Sequence, residues 1–134
     1  MGKRKQDSAI ARKVANQDVV KARLNDCPSS PRKMRLVADI IRGEKVEKAL
    51  YILKYSKKDA SNKLEKLLLS AMANWQNKNE GADIEEANLI VKEIYVDSAR
   101  QLKRLRPAPQ GRGYRIRKRS NHVTLVLGIK SDNQ

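Results

Sequence analysis

Phenylalanine is absent from this chain of 134 residues, and cysteine, histidine and tryptophan occur once each, as Cys27, His122 and Trp75. A single cysteine excludes an internal disulfide and any zinc site built on cysteine pairs, and it fits a reducing compartment. With only Tyr51, Tyr55, Trp75, Tyr95 and Tyr114 as aromatics, the core must rest on Leu, Ile, Val, Ala and Met. No apolar run exceeds about five residues, too short to span a bilayer. Met1 to Ile10, MGKRKQDSAI, is basic but leads into no apolar core, so no secretory leader is expected. Gly2 is followed by Gln6 rather than Ser or Thr at the sixth position, which argues against a myristoyl site.

Acidic residues are also missing where they would matter most. Arg100 to Arg119, RQLKRLRPAPQGRGYRIRKR, holds nine Lys or Arg and no Asp or Glu. The whole chain carries +15, so this block of 20 residues holds nine of those charges. Residues 1–23 have seven basic groups against two acidic, residues 32–63 ten against four, and residues 64–99 three against seven. Like charges crowded together repel, and the commonest polyanion that removes the cost is a nucleic-acid backbone. The acidic block is expected to face solvent and the basic blocks the partner.

The length suits one domain with a modest core. Residues 1–17 have no clear period and read as a basic extension. Val19 to Leu24 alternates, with Val20, Ala22 and Leu24 on one face, as a half-buried strand does; Asp26-Cys27-Pro28-Ser29 ends it. Ser30 as N-cap and Pro31 at the first helical position start a helix. Its stripe is Met34, Val37, Ala38 and Ile41, and Gly43 closes it. A second helix buries Val46, Ala49, Leu50 and Leu53. Ser56-Lys57-Lys58-Asp59 reads as the capping box of a third, which runs to about Trp75 and buries Ala60, Leu64, Leu67, Leu68, Ala71 and Trp75. Leu89 to Asp97 and His122 to Leu127 read as strands.

The basic block lies between these last two strands, and Pro107, Pro109, Gly111 and Gly113 mark a turn in its middle. One long antiparallel hairpin results, at about residues 88–127, bending near 107–112. At about 3.3 Å per residue, arms of roughly 15 residues would reach some 50 Å and carry the tip past a body about 30 Å across. The fold class is therefore α+β: a small antiparallel three-stranded sheet packed with three helices, plus the long hairpin.

No constellation for catalysis is present. His122 sits in a strand with no marked nucleophile or orienting acid, which favours a structural or RNA-contact role. Cys27 reads as a packed residue. Asp83, Glu85 and Glu86 lack calcium-loop spacing and read as a solvated turn. Gly111-Arg112-Gly113 lacks the phosphate-loop spacing. No cofactor and no metal are expected. Arg32, Arg35 and Arg42 form either a solvated helix face or, with Lys33, a phosphate-contacting one. Arginine suits the latter because its planar fork binds phosphate with two hydrogen bonds. Charge alone does not separate DNA from RNA, but a basic prong suits folded RNA with deep, phosphate-walled clefts. A membrane-active role finds only Leu102, Leu105 and Ile116 as large aliphatics in the block, and its Pro and Gly residues break any amphipathic helix.

Three separated motifs resemble a known family. Ser29-Ser30-Pro31-Arg32-Lys33-Met34-Arg35-Leu36-Val37-Ala38-Asp39-Ile40-Ile41-Arg42-Gly43 is similar to the first-helix motif of large-ribosomal-subunit protein twenty-two, bacterial type. Asn79-Glu80-Gly81-Ala82-Asp83 resembles the turn after its third helix. The run from Lys103-Arg104 through Gly111-Arg112 to Lys118-Arg119-Ser120-Asn121-His122-Val123 resembles its hairpin. The resemblance covers about residues 18–128. It implies a non-enzymatic, cytoplasmic ribosomal component that binds large-subunit ribosomal RNA and acts early in subunit assembly. It implies a tunnel-lining hairpin tip near large-subunit protein four and the nascent peptide, with no membrane partner. By position the tip is about 104–113, centred on Arg106, Pro107, Ala108, Pro109, Gln110 and Gly111. Ala108 and Gln110 stand where the family commonly has further basic residues. The RNA-binding set would be Arg32, Lys33, Arg35, Arg42, Lys103, Arg104, Arg106, Arg112, Arg115, Arg117, Lys118 and Arg119. The division implied is a basic extension, residues 1–17, and one RNA-binding domain, residues 18–134.

Overall fold

A computed structural model describes residues 2–80, 82, 84 and 86–129. The chain begins with a helix, α1 (Lys3–Asp18), where the sequence reads as an extension without a period. The difference has a physical cause. Lys, Arg, Gln and Ala favour helix on intrinsic propensity, but nothing in the segment marks a buried face. Ile10 and Val14 stand at i and i+4, and both are more than half exposed. α1 thus forms without entering the core, and burial periodicity had nothing to report.

The body is a three-stranded antiparallel sheet with helices on one face. Strand β1 (Val20–Cys27) runs three residues beyond the expected end, bending at a bulge between Leu24 and Cys27 where Asp26 takes a φ of 50°. Three helices follow: α2 (Pro31–Ile41), α3 (Val46–Tyr55) and α4 (Asp59–Lys78). The sheet is completed by β2 (Leu89–Ser98) and β5 (Asn121–Ile129), in the order β1-β5-β2. Between them lie β3 (Leu102–Pro107) and β4 (Gly113–Lys118), which pair only with each other.

The expected stripes are the core. Met34, Val37, Ala38 and Ile41 of α2 are buried, as are Ala60, Leu64, Leu67, Leu68, Ala71 and Trp75 of α4. They close on Val91 and Ile94 of β2 and on Val123, Leu125 and Leu127 of β5, all buried. Cys27 is a buried, free, packed thiol. Leu50 of α3 is half-buried, at the margin of this core.

One cap differs from expectation. Ser56 ends α3 instead of starting α4, Lys58 is the N-cap without a side-chain bond, and Asp59 is the first helical residue. Only three residues separate the helices, so the end of α3 consumes the would-be capping serine. Asp59 instead pairs with Lys63 one turn on, at 2.8 Å.

α2 ends as expected: Gly43 takes a φ of 79°, where a side chain would be strained. The turn it makes then docks on β2. The Gly43 N–H donates to the Val91 carbonyl at 2.8 Å, and the Val91 N–H donates to the Glu44 carbonyl at 3.0 Å.

Candidate nucleic-acid interface

The basic block forms a two-stranded ribbon, β3–β4, every residue of which is exposed. Register places Lys103 opposite Arg117, Leu105 opposite Arg115, Arg104 opposite Ile116 and Arg106 opposite Tyr114. Directly opposed residues share a face. One face therefore carries Leu102, Lys118, Arg104, Ile116, Arg106 and Tyr114, and the other Lys103, Arg117, Leu105 and Arg115. The first face mixes apolar and cationic groups, with Tyr114 64% and Leu105 on the second face 75% exposed. The Lys103–Arg117 pair sets like charge against like, which destabilises a bare ribbon. A polyanion on that face would relieve it.

The turn is tight. Pro109–Gly111 makes the bend, with Gln110 at φ 63° and Gly111 at φ 69°, both in the left-handed region. The Ala108 N–H closes it on the Arg112 carbonyl at 2.8 Å. The bend thus lies where Pro and Gly cluster, with Arg106, Pro107, Ala108, Pro109, Gln110 and Gly111 at or beside the apex.

The expected single ribbon is broken at its root. Ser98 pairs with Asn121 and Leu102 with Lys118, so residues 99–101 on one arm face only Arg119 and Ser120 on the other. The Ala99 N–H to Ser120 carbonyl bond, 2.9 Å, spans this interval. The lower arms, β2 and β5, belong to the body sheet. Only about nine residues per arm project, roughly 30 Å at the rise of an extended strand, which is shorter than expected.

The helical arginines divide. Arg32 and Lys33 are exposed at the start of α2. Lys33 shares a cleft with Lys118 and Arg119 of the hairpin root, so these three expected site residues come together. Arg35 and Arg42 turn to β2: Arg35 donates to the Val96 carbonyl, and Arg42 Nη2 donates to the Ile94 carbonyl at 3.1 Å. Arg42 also pairs with Asp39 at 2.7 Å. Each guanidinium has five N–H donors, so these contacts leave donors over. In the same cleft stands Lys58, missed as a site residue because the Lys57-Lys58 step reads as part of a helix cap; its only signal was two adjacent cations between helices.

His122 has a structural position. Its Nδ1 accepts the Asp26 N–H at 3.0 Å, and its Nε2 lies 3.8 Å from the Asp26 carboxylate. The ring thereby ties β5 to the bulge of β1. Among the described residues two titrations are shifted. The Asp59 hydrogen bond raises Lys63, against a smaller opposing effect of burial. The Glu93 hydrogen bond raises the exposed Tyr95. Of the acidic turn expected to be solvated, Asp83 and Glu85 lie outside the described residues, as does Gly81 of the resembling turn. No helix is long and apolar enough to cross a membrane, among the described residues.

Residues 22–128 match the model of the family described as ribosomal protein L22p/L17e. The chain belongs to this family. A ribosomal protein of this family is a structural component and not an enzyme. The match runs from Ala22 in β1 to Gly128 in β5, so it takes in the sheet, α2 to α4 and the whole hairpin, while α1 precedes it. The large ribosomal subunit protein uL22 of Christiangramia forsetii is 68% identical over 134 residues, covering 100% of this chain and 99% of its own length. That of Flavobacterium johnsoniae is 64% identical, at 100% and 98% coverage. That of Bacteroides thetaiotaomicron is 58% identical, also at 100% and 98%. These alignments cover the whole of this chain, so the segment that forms α1 here is aligned in these relatives as well.

Proposed function

We propose that this chain is a structural constituent of the large ribosomal subunit, in the cytoplasmic ribosome. It binds large-subunit ribosomal RNA, supports subunit assembly, and lines the nascent-peptide exit tunnel with its hairpin tip. One observation carries the RNA reading: β3 and β4 each hold three basic residues, no acidic one and no buried one. A ribbon like this has no core of its own to lie on, and two bare strands are marginal in water. Its charge and exposure are explained together if RNA covers it.

Within this reading, Lys103, Arg104, Arg106, Arg112, Arg115, Arg117, Lys118 and Arg119 neutralise phosphates along the arms and turn. Arg32 and Lys33 add contacts from α2, and Arg35 and Arg42 add what donors their carbonyl bonds leave. Residues 18–134 act as one RNA-binding domain with residues 1–17 as its leading element. The apex, Arg106 to Gly111, faces the nascent peptide, with large-subunit protein four as the neighbour at the constriction and the body near the tunnel exit. Leu105 and Tyr114, exposed beside the arginines, are available to pack or stack on bases.

The test is binding of the full chain to a large-subunit ribosomal RNA transcript across a salt series, with duplex DNA as competitor. Affinity should fall steeply and log-linearly with salt, because each neutralised phosphate releases counterion. RNA should outcompete DNA at fixed salt. An affinity indifferent to salt, or equal for both nucleic acids, contradicts the reading.

A further inference from the structure

The root of the hairpin meets the body at a cleft of about 830 Å³. Lys33 and Leu36 of α2, Lys58 at the start of α4, and Leu102, Lys118 and Arg119 of the hairpin share its wall. Three chain segments, distant in sequence, thus bring four cations to one place. Asp59 is the one acidic residue in the wall, and Lys63 already takes its carboxylate at 2.8 Å. Among the described residues, none of Lys33, Lys58, Lys118 and Arg119 has a side-chain ion pair or hydrogen bond. The cleft is of the size class that encloses small organic ligands, and Leu36 and Leu102 give it apolar ground beside the charge.

The same place is the weak point of the prong. The register breaks there, and one arm has three residues where the other has Arg119 and Ser120. A single backbone bond, Ala99 to Ser120, crosses this interval among the described residues. One such bond leaves the angle between ribbon and body loosely held. Anything that contacts Lys33 or Lys58 on the body together with Lys118 or Arg119 on the ribbon would close it.

We infer that this cleft holds a segment of RNA backbone, with its phosphates among Lys33, Lys58, Lys118 and Arg119, and that this segment fixes the direction of the hairpin against the body. The inference rests on the RNA-binding reading above. It adds a site off the projecting arms and a contact residue, Lys58, that lies outside the hairpin. Charge complementarity selects the occupant. Leu102 and Lys118, which line the cleft, share their ribbon face with Arg104 and Arg106 farther along the arms, so a phosphate chain leaving the cleft along that face meets further cations. A short acidic peptide would match the cleft but not this continuation.

The experiment uses the full chain and a large-subunit ribosomal RNA transcript. The variant Lys33→Glu/Lys58→Glu changes two exposed side chains outside the core and is compared with the arm variant Arg104→Ala/Arg115→Ala. The cleft variant should bind at least tenfold more weakly and flatten the slope of log affinity against log salt by about two. RNA should also slow exchange of the Ala99 amide in the native chain at least tenfold, and not in the cleft variant. In the native chain, which needs no substitution to fold, RNA should protect Lys58 from chemical acetylation. If the cleft variant binds as the native chain does while the arm variant weakens, the cleft inference is overturned and the RNA reading stands. If neither variant weakens, the RNA reading fails and takes the cleft with it. Protection of Lys58 by polyglutamate but not by RNA would assign the cleft to an acidic protein and overturn the inference.

Discussion

Arg35 holds the Val96 carbonyl with two donors, Nε at 3.1 Å and Nη2 at 2.8 Å. Val96 lies on β2, an edge strand of the body sheet. Along that edge Arg42 takes the Ile94 carbonyl, and the turn at Gly43 and Glu44 takes both backbone groups of Val91. Helix α2 and its following turn therefore occupy the side of β2 that would otherwise recruit another strand. Arg35→Ala should lower stability by about 1–2 kcal/mol, since a charged donor is lost and a carbonyl is left without its partner. Arg35→Lys should recover only part, because an ammonium lacks the fixed two-donor fork. Urea unfolding of the three proteins checks this, and identical midpoints would contradict it.

A second tie lies at the hairpin root. Asn121 is fully buried, and its Nδ2 donates to the Ser29 carbonyl at 2.7 Å. It joins β5 to the loop that precedes α2. Asn121→Ala should cost about 1–3 kcal/mol by leaving that carbonyl unpaired. The loss should appear as a lower denaturation midpoint with an unchanged slope.

The turn makes a local prediction. Gly111 sits at φ 69° and Gln110 at φ 63°. Gly111→Ala should destabilise the turn by about 1 kcal/mol, while Gln110→Gly should be tolerated. Amide exchange at Ala108, whose N–H closes the turn, should quicken in the first variant only. The global unfolding midpoint should stay put in both, as no core residue lies in the ribbon.

Deleting residues 104–113 should likewise leave the body folded. β3 and β4 bury no residue, and the core is formed by β1, β2, β5 and the helices α2 to α4. Circular dichroism of the deletion variant should retain its helical signal and a cooperative melt. Collapse of the isolated variant would mean that the ribbon supports the fold.

Much of the body was legible because its signals are local. Met34, Val37, Ala38 and Ile41 mark α2 by spacing alone, and Val123, Leu125 and Leu127 mark β5 by alternation. α1 left no such mark, since Ile10 and Val14 stay more than half exposed and a helix without a buried face shows no stripe. The roles of Arg35 and Arg42 were hidden for another reason: their partners are backbone carbonyls more than fifty residues away, which carry no side-chain identity. The break at residues 99–101 was equally silent, because strands exposed on both faces place no demand on register. Of the candidate interface, the charge block and the bend showed in composition. That Lys33 and Lys58 stand with Lys118 and Arg119 depends on how α2, α4 and the hairpin root meet.

In the proposed function the basic arms lie in RNA while the Pro- and Gly-rich apex meets the growing peptide. A photoreactive amino acid placed at Gln110, and in a second protein at Arg115, tests this directly in large subunits carrying an arrested nascent chain. Position 110 should crosslink to the nascent peptide and position 115 to ribosomal RNA. Absence of any nascent-peptide adduct from position 110, with the protein incorporated into the subunit, would contradict that placement of the apex.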